Sequence, residues 1–320
     1  MKNRHHTRRG YRNNYAHPRH DLRAFFKLLW GFRRKAFELM SFPLAKNNPA
    51  FLAANRTQPT LTWIGHSTFL LQVGGLNVLT DPHFTRRASP LNWAGPERFV
   101  KPGLALKDLP PIDLVLISHN HYDHLDEGSV RWLIRHHPKA IIVVPLGMRR
   151  WLQRRRAHNI VELDWWQPHG GHGFTVTAVP AQHFSGRSAT DRNKTLWCGF
   201  VLEIAGRRIF FAGDTGYSKD FADIGKRFAP VDLALLPIGA YDPRWFMRPM
   251  HVNPEEAVEI HKDVGSRQSV AMHWGTFRLT EEPPDEPPQQ LAQALAAAKI
   301  DPERFWVMQH GETRKLSFAA

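Results

Sequence analysis

Residues 118–126 read Ser-His-Asn-His-Tyr-Asp-His-Leu-Asp. Three imidazoles and two carboxylates in so short a run are the side chains that bind metal ions. They directly follow "IDLVLIS" (residues 112–118), a continuous apolar run of the kind found in strands covered on both faces. Ionisable groups crowded behind a buried strand are costly unless a metal or dense hydrogen bonding satisfies them. In extended chain, residues two apart point the same way. His119, His121 and Asp123 can therefore converge, and His124, opening the next helical turn, can stand beside Asp123. Two ligand pairs result, His119 with His121 and Asp123 with His124, close enough for two ions that share a bridge.

A single loop cannot complete such a site. Three further strand-like runs each end in a nitrogen or oxygen ligand: "FTVTAVPAQ" at His183, "RRIFFAG" at Asp214 and "SVAM" at His273. Open α/β sheets place their sites at the carboxyl ends of strands. The full set of His119, His121, Asp123, His124, His183, Asp214 and His273 suits two ions about 3.5–4 Å apart, the spacing of two-metal hydrolysis. Cys198 is the single cysteine, so thiolate sites and an intramolecular disulfide are excluded and a reducing compartment fits. Imidazole with carboxylate favours Zn²⁺, with Fe or Mn as chemical alternatives. Two Zn²⁺ per chain is the resulting expectation. His66, His83, His136, His137, His169 and His172 stand alone in the sequence and read as structural. "DTG" occurs once, at 214–216, whereas an aspartic protease needs two such carboxylates.

These ligands need a frame. From about residue 60 short β-like runs recur: "TLTWIG", "STFLLQVGGLNVLT", "AIIVVP", "WCGFVLEIAGRRIFFAG", "VDLALLPIG" and "RFWVMQHGETRKL" among them. Gly-containing turns make two of them hairpins. Helical stretches fall between, at 127–137, 147–157, 218–228, 254–264 and 289–298. Asn253-Pro254-Glu255-Glu256 supplies a cap, a first-turn proline and acids on the positive end of a helix dipole. "EEPPDEPP" at 281–288 reads as a loop. The mixture predicts a layered α/β domain.

Charge divides the chain differently. Residues 1–36 hold eleven Lys/Arg against Asp21 alone, which accounts for +10 of the formal +14. A basic tail on a near-neutral body points to an anionic surface and argues against nucleic acid gripped along the domain. Residues 1–20 lack apolar periodicity and are expected to be disordered. "AFFKLLWGFRRKAFELM" (24–40) predicts a helix, with two readings open: lying in a membrane interface, or packed on its own domain. The chain divides accordingly into a basic N-terminal part, 1–50, and a hydrolase domain, 51–320. No apolar stretch reaches transmembrane length. A cytoplasmic protein, peripheral at the inner face of a membrane, is the expectation.

The HxHxDH string with a later His, Asp and His resembles the metallo-β-lactamase superfamily. "WIGHSTFLLQ", "LTDPHFTRRASPL", "LDWWQ", "YDPRWFMRPMHVNPEEAVEIHKDV" and "MHWGTFRLTEEPPDEPP" narrow the likeness to the N-acyl-phosphatidylethanolamine-hydrolysing phospholipase D family, over roughly residues 55–316. The resemblance implies an αββα sandwich with a dinuclear zinc site at one edge, and a homodimer. It implies that His119, His121 and His183 hold one ion, that Asp123, His124 and His273 hold the other, and that Asp214 bridges. His251, in "PMHVNP", matches an active-site histidine of that family.

The activity expected is metal-dependent phosphodiester hydrolysis. A hydroxide shared by two ions attacks phosphorus, yielding phosphatidate and an N-acylethanolamine from a phospholipid substrate. Asp123 and Asp214 serve the metals, Asp214 orients the nucleophile, and His251 donates to phosphate or leaving group. Arg244, Trp245 and Arg248 read either as a headgroup-facing patch or as a solvated loop, and "MRRWLQRRR" (148–156) reads as a solvated helix face. The alternatives are another hydrolase on this fold: a lactonase of the ascorbate-phosphate type or, against the charge distribution, an RNA-processing nuclease.

Overall fold

A computed structural model describes residues 4–17 and 40–318. At the N-terminus, β1 (His6–Thr7) and β2 (Gly10–Tyr11) pair as a short antiparallel ribbon. In the first sheet β3 (Thr60–Gly65), β4 (Thr68–Val73), β5 (Leu76–Thr80), β6 (Leu114–Leu116), β7 (Ile141–Pro145) and β8 (Ile160–Leu163) lie in chain order. The second runs in order through β9 (Pro168–Gly171), β10 (Phe174–Val179), β11 (Gly199–Ile204), β12 (Arg207–Phe211), β13 (Leu233–Pro237), β14 (Ser269–Met272) and β15 (Phe305–Trp306). The last strand, β16 (Thr313–Lys315), returns to pair with β3, giving each sheet seven strands.

Both sheets change character midway. Strands β3 to β5 and β9 to β12 are antiparallel, joined by tight turns except between β10 and β11, where the segment 180–198 carries His183; Gly74 and Gly75, with φ of +58° and +78°, make the β4–β5 turn that positive φ at both positions requires. Strands β5 to β8 and β12 to β15 are parallel, so long crossovers must separate them; all but the β5–β6 crossover, residues 81–113, contain an α-helix. The parallel halves therefore end their strands side by side, which is where loops from both sheets meet.

Alternation sorts the core. In β4, Phe69 and Leu71 face the second sheet, packing in one cluster with Val176, Phe200, Phe211 and Leu235, while Leu70 faces outward with Val115, Ile142 and Val144. That outer face is covered by Val130 and Leu133 of the helix Glu127–His136 and by Leu152 of Arg149–Gln153. The helices Asp220–Phe228, Pro254–Asp263 and Glu286–Ala298 pack on the second sheet through Phe221, Ile224, Val258, Ile260, Leu291 and Leu295. The architecture is a layered αββα sandwich, as the resemblance implies.

Some expectations are revised. Residues 4–17, expected to be disordered, form the ribbon and a following segment bound to the body through side chains. "RFWVMQHGETRKL" is not one strand: β15 and β16 belong to different sheets, and the chain crosses between them. The "EEPPDEPP" loop already contains a helix start at Glu286, because Pro287 and Pro288 fit a first turn that needs no N–H. Strand β8, Ile-Val-Glu-Leu, is too short to show a period, and β9, Pro-His-Gly-Gly, has no apolar pattern. The helix expected over 24–40 lies outside the described residues, apart from Met40. Among the described residues no helix is long and apolar enough to cross a membrane.

Candidate metal centre

The 119–124 loop is shaped by its backbone. Strand β6 hands over through Ile117, whose N–H still donates to Val143 O, and the loop then turns so that His124 N and Leu125 N both donate to His121 O. Asp126 caps the next helix by accepting from Ser129 N at 3.2 Å. From outside, Arg187 Nη1 donates to Asn120 O at 3.0 Å and to Leu125 O at 2.8 Å, clasping the loop at both ends.

This turn splits the ligands into two sets. His119 Nε2 and His183 Nε2 lie 2.9 and 3.2 Å from His121 Nδ1, with Asp214 Oδ2 3.9 and 3.8 Å from the two Nε2 atoms. Three imidazole nitrogens directed at one point are what a tetrahedral ion gathers, since bonds of about 2.0–2.1 Å place ligand atoms roughly 3.3 Å apart. In the second set Asp123 Oδ2 is 3.2 Å from His124 Nε2 and 3.5 Å from His273 Nε2. Asp214 joins the two, with Oδ2 at 3.1 Å from His124 Nε2 and Oδ1 at 3.1 Å from His273 Nε2. The strand-end placement read from the sequence thus brings all seven side chains together.

Outer contacts aim the rings. His119 Nδ1 bonds Ser118 Oγ at 2.9 Å, His124 Nδ1 bonds Asp81 Oδ2 at 2.6 Å, and His183 Nδ1 bonds Met250 O at 2.8 Å. In each case the other ring nitrogen is left for an ion. His124 Nε2, His273 Nε2 and Asp214 Oδ1 are buried and close to one another, yet none of them makes an aligned hydrogen bond. Orphaned polar atoms at the centre of a folded domain require a partner, and this donor set, all nitrogen and oxygen, fits divalent cations.

The electrostatics agree. Burial opposes ionisation of Asp123 and Asp214, yet the adjoining His124 charge holds both carboxyls well below their usual range. Burial likewise opposes charge on His273, but Asp214 and Asp123 raise it to about 9, and His124 is raised well above its usual value by Asp214, Asp123 and Asp81. The two carboxylates thus demand positive charge at this point. Burial lowers His121 to about 3 and His183 to about 4, leaving neutral imidazoles, the form that ligates metal.

His251 closes the site from the other side, its Nδ1 4.0 Å from Asp214 Oδ2 and its ring 5.0 Å from His183. Burial holds it well below its usual pKa, so it is neutral. A cavity of about 650 Å³ opens next to Arg244, which holds His251 O, and Gln182, which precedes the ligand His183; Tyr15, Tyr217, Lys219, Trp245 and Arg248 also line it, and neither His251 nor any of the seven ligands does.

Residues 76–274 match the beta-lactamase superfamily domain. The chain belongs to the metallo-β-lactamase superfamily. It is 44% identical over 272 residues, 83% of this chain and 70% of the other, to an uncharacterized protein of Mycobacterium tuberculosis. It is 40% identical over 247 residues, 74% of this chain and 69% of the other, to N-acyl-phosphatidylethanolamine-hydrolyzing phospholipase D 1 of Caenorhabditis elegans. Among solved structures, Igni18, a metallo hydrolase of the archaeon Ignicoccus hospitalis, superposes with a TM-score of 0.62 at 25% identity, covering 82% of this chain and 100% of that one. This metallo-β-lactamase-fold chain is a metal-dependent hydrolase.

Several residues of the metallo-β-lactamase site were not legible beforehand. His66, read as structural, places Nε2 2.9 Å from Asp123 Oδ2. It shares with His273 a left-handed backbone, φ 55° and 63°, and its carbonyl accepts from His273 N. Asp81 lies inside "LTDPHFTRRASPL", where no role attaches to it, and Arg187 carries no signal of its own. Of the residues considered for a headgroup patch, Arg244 is committed inward, to His251 O at 2.8 Å and Glu256 Oε2 at 2.8 Å, so it props His251; Trp245 and Arg248 line the cavity. In the basic segment 148–156, Arg155 stacks 3.5 Å above Trp151 and pairs with Glu127, which departs from a simple solvated face.

Proposed function

We propose that this chain hydrolyses the phosphodiester of N-acyl-phosphatidylethanolamine-type lipids, phospholipase D fashion, releasing phosphatidate and an N-acylethanolamine. The observation that carries this reading is the 40% identity, over 247 residues, to the C. elegans phospholipase D of that specificity. The cavity lined by Gln182 and Arg244 supports it. Aromatic Tyr15, Tyr217 and Trp245 offer apolar contact, and Lys219 brings positive charge to the same opening, where Arg244 and Arg248 are paired with Glu256; this suits an amphiphile bearing a phosphate.

Two ions, Zn²⁺ by the chemistry of the ligands, would acidify a water toward neutral pH and polarise the phosphoryl oxygens when bound. His119, His121 and His183 would hold one, Asp123, His124 and His273 the other, with Asp214 between them. Asp214, ionised, accepts from and orients the attacking water. His251, neutral, offers a ring N–H to a phosphoryl oxygen or to the departing alkoxide. Arg244 keeps the His251 backbone in place. The partner is a lipid surface, approached through the basic N-terminal residues from the cytoplasmic side, and the assembly is a homodimer.

The test is a substrate panel: N-acyl-phosphatidylethanolamine, bis-p-nitrophenyl phosphate, a lactone and a structured RNA, each with the wild type and Asp123→Asn. The reading requires lipid turnover that the variant loses. Turnover of the lactone or the RNA alone would refute it.

A further inference from the structure

The ribbon and the residues after it reach into the metal centre. His5 Nε2 and His6 Nε2 bond the two oxygens of Asp164 at 2.6 and 2.8 Å, and His5 stacks on Trp165 at 4.3 Å between ring centroids. Tyr11 N donates to Asn193 O at 2.9 Å. The approach at Gly10 is so close that a Cβ there would lie 2.0 Å from Asn193 O. Asn14 Nδ2 donates to Asp220 Oδ1 at 2.7 Å and Tyr15 OH to Asp223 Oδ2 at 3.0 Å. Between these anchors sits Asn13.

Asn13 holds the backbone of His183. Its Nδ2 donates to His183 O at 3.0 Å, and its Oδ1 accepts from His183 N at 3.1 Å and from Trp197 Nε1 at 3.0 Å. A single side-chain amide thus takes the place of a neighbouring strand at a position beyond the end of β10, where pairing has stopped. His183 is 2% exposed, so its peptide groups need partners inside the protein. Its ring is aimed by Met250 O, and its Nε2 lies 3.2 Å from His121 Nδ1. With the ring bond and both peptide bonds in place, neither rotation nor sliding of the residue is free.

We infer that Asn13 is a positioning residue for the ligand His183, so that a segment read from sequence as a free basic tail sets the affinity of one of the two metal positions. The inference rests on the dinuclear reading above. Removing the amide leaves a buried N–H and C=O unpaired, which costs about 1–3 kcal/mol per group unless the backbone moves. Movement displaces the ligand, and misplaced ligand support typically weakens a metal by about 10–100-fold. The second set, built on Asp123, His124 and His273, has no contact with this segment among the hydrogen bonds of the described residues and keeps its affinity.

The test uses the full-length, zinc-loaded chain equilibrated with graded chelator, with the zinc retained per chain read by mass spectrometry. Asn13→Ala is expected to release one equivalent at a chelator concentration about 10–100-fold lower than the wild type, the other equivalent being unmoved. Asn13→Leu keeps the volume, guards against a folding defect and is expected to do the same. Asn14→Ala cuts the neighbouring anchor to Asp220 and is expected to follow the wild-type curve. The proposal is overturned if both Asn13 variants retain two equivalents as the wild type does, or if Asn14→Ala releases zinc as early as they do. His183→Ala separates the two levels: if it too leaves the curve unchanged, the dinuclear reading itself fails.

Discussion

Asp81 Oδ2 lies 2.6 Å from His124 Nδ1, and neither side chain is reached by solvent. Asp81 follows β5, beside the parallel strand β6, and also accepts from Ser118 N at 2.7 Å and Ser118 Oγ at 2.6 Å. Sheet pairing therefore delivers the carboxylate that fixes which nitrogen of His124 faces Asp123 and Asp214. Asp81→Asn keeps the shape and removes the charge. It is expected to weaken one metal equivalent by about 10–100-fold in chelator competition; an unchanged curve would show that Asp81 is only a fold contact.

His251 Nδ1 stands 4.0 Å from Asp214 Oδ2, beyond hydrogen-bond reach, and belongs to neither ligand set, so its removal is expected to spare the ions. His251→Gln is expected to lower kcat on a soluble phosphodiester by about 10²–10³-fold, as for loss of one preorganised donor. Zinc content, measured on the same samples, stays at the wild-type value.

Gly239 follows β13 and presses on the ligand strand beside it. A Cβ there would stand 2.2 Å from His273 O. Gly239→Ala is expected to cost about 1–3 kcal/mol in urea unfolding through overpacking and to loosen zinc at the same time. Full stability with wild-type metal retention would contradict the placement of His273.

Acid should unfold the protein through neutral buried histidines. His310 packs tilted against Trp63, 4.2 Å between ring centroids, bonds Thr276 Oγ1 at 2.9 Å, and has its pKa lowered to about 3, by burial first and Arg98 second. The unfolded chain protonates at about 6.5 and the folded one does not, so stability is full above that pH and is lost as pH falls toward 3. His310→Gln removes that proton. Between pH 6 and 4 its unfolding free energy should fall less steeply than the wild type's, by about 1.4 kcal/mol per pH unit.

The ligand loop was legible because its signal is local: alternation within 119–123 and a strand before it. The strand ends at His183, Asp214 and His273 were legible for the same reason, one apolar run apiece. His66, Asp81 and Asn13 were not. Each reaches the centre through tertiary contact from a distant turn or tail, with no periodicity of its own, and a histidine in a tight turn looks like any other. The N-terminal segment misled because polar, basic composition predicts disorder, whereas His5, Asn13, Asn14 and Tyr15 are held by specific hydrogen bonds that composition does not record.

Anomalous diffraction from zinc-loaded crystals addresses the centre directly. Two peaks about 3.5–4 Å apart are expected, one among His119, His121 and His183, the other among Asp123, His124 and His273, with Asp214 touching both. A single peak, or none at these residues in crystals grown with zinc, would contradict the two-ion account.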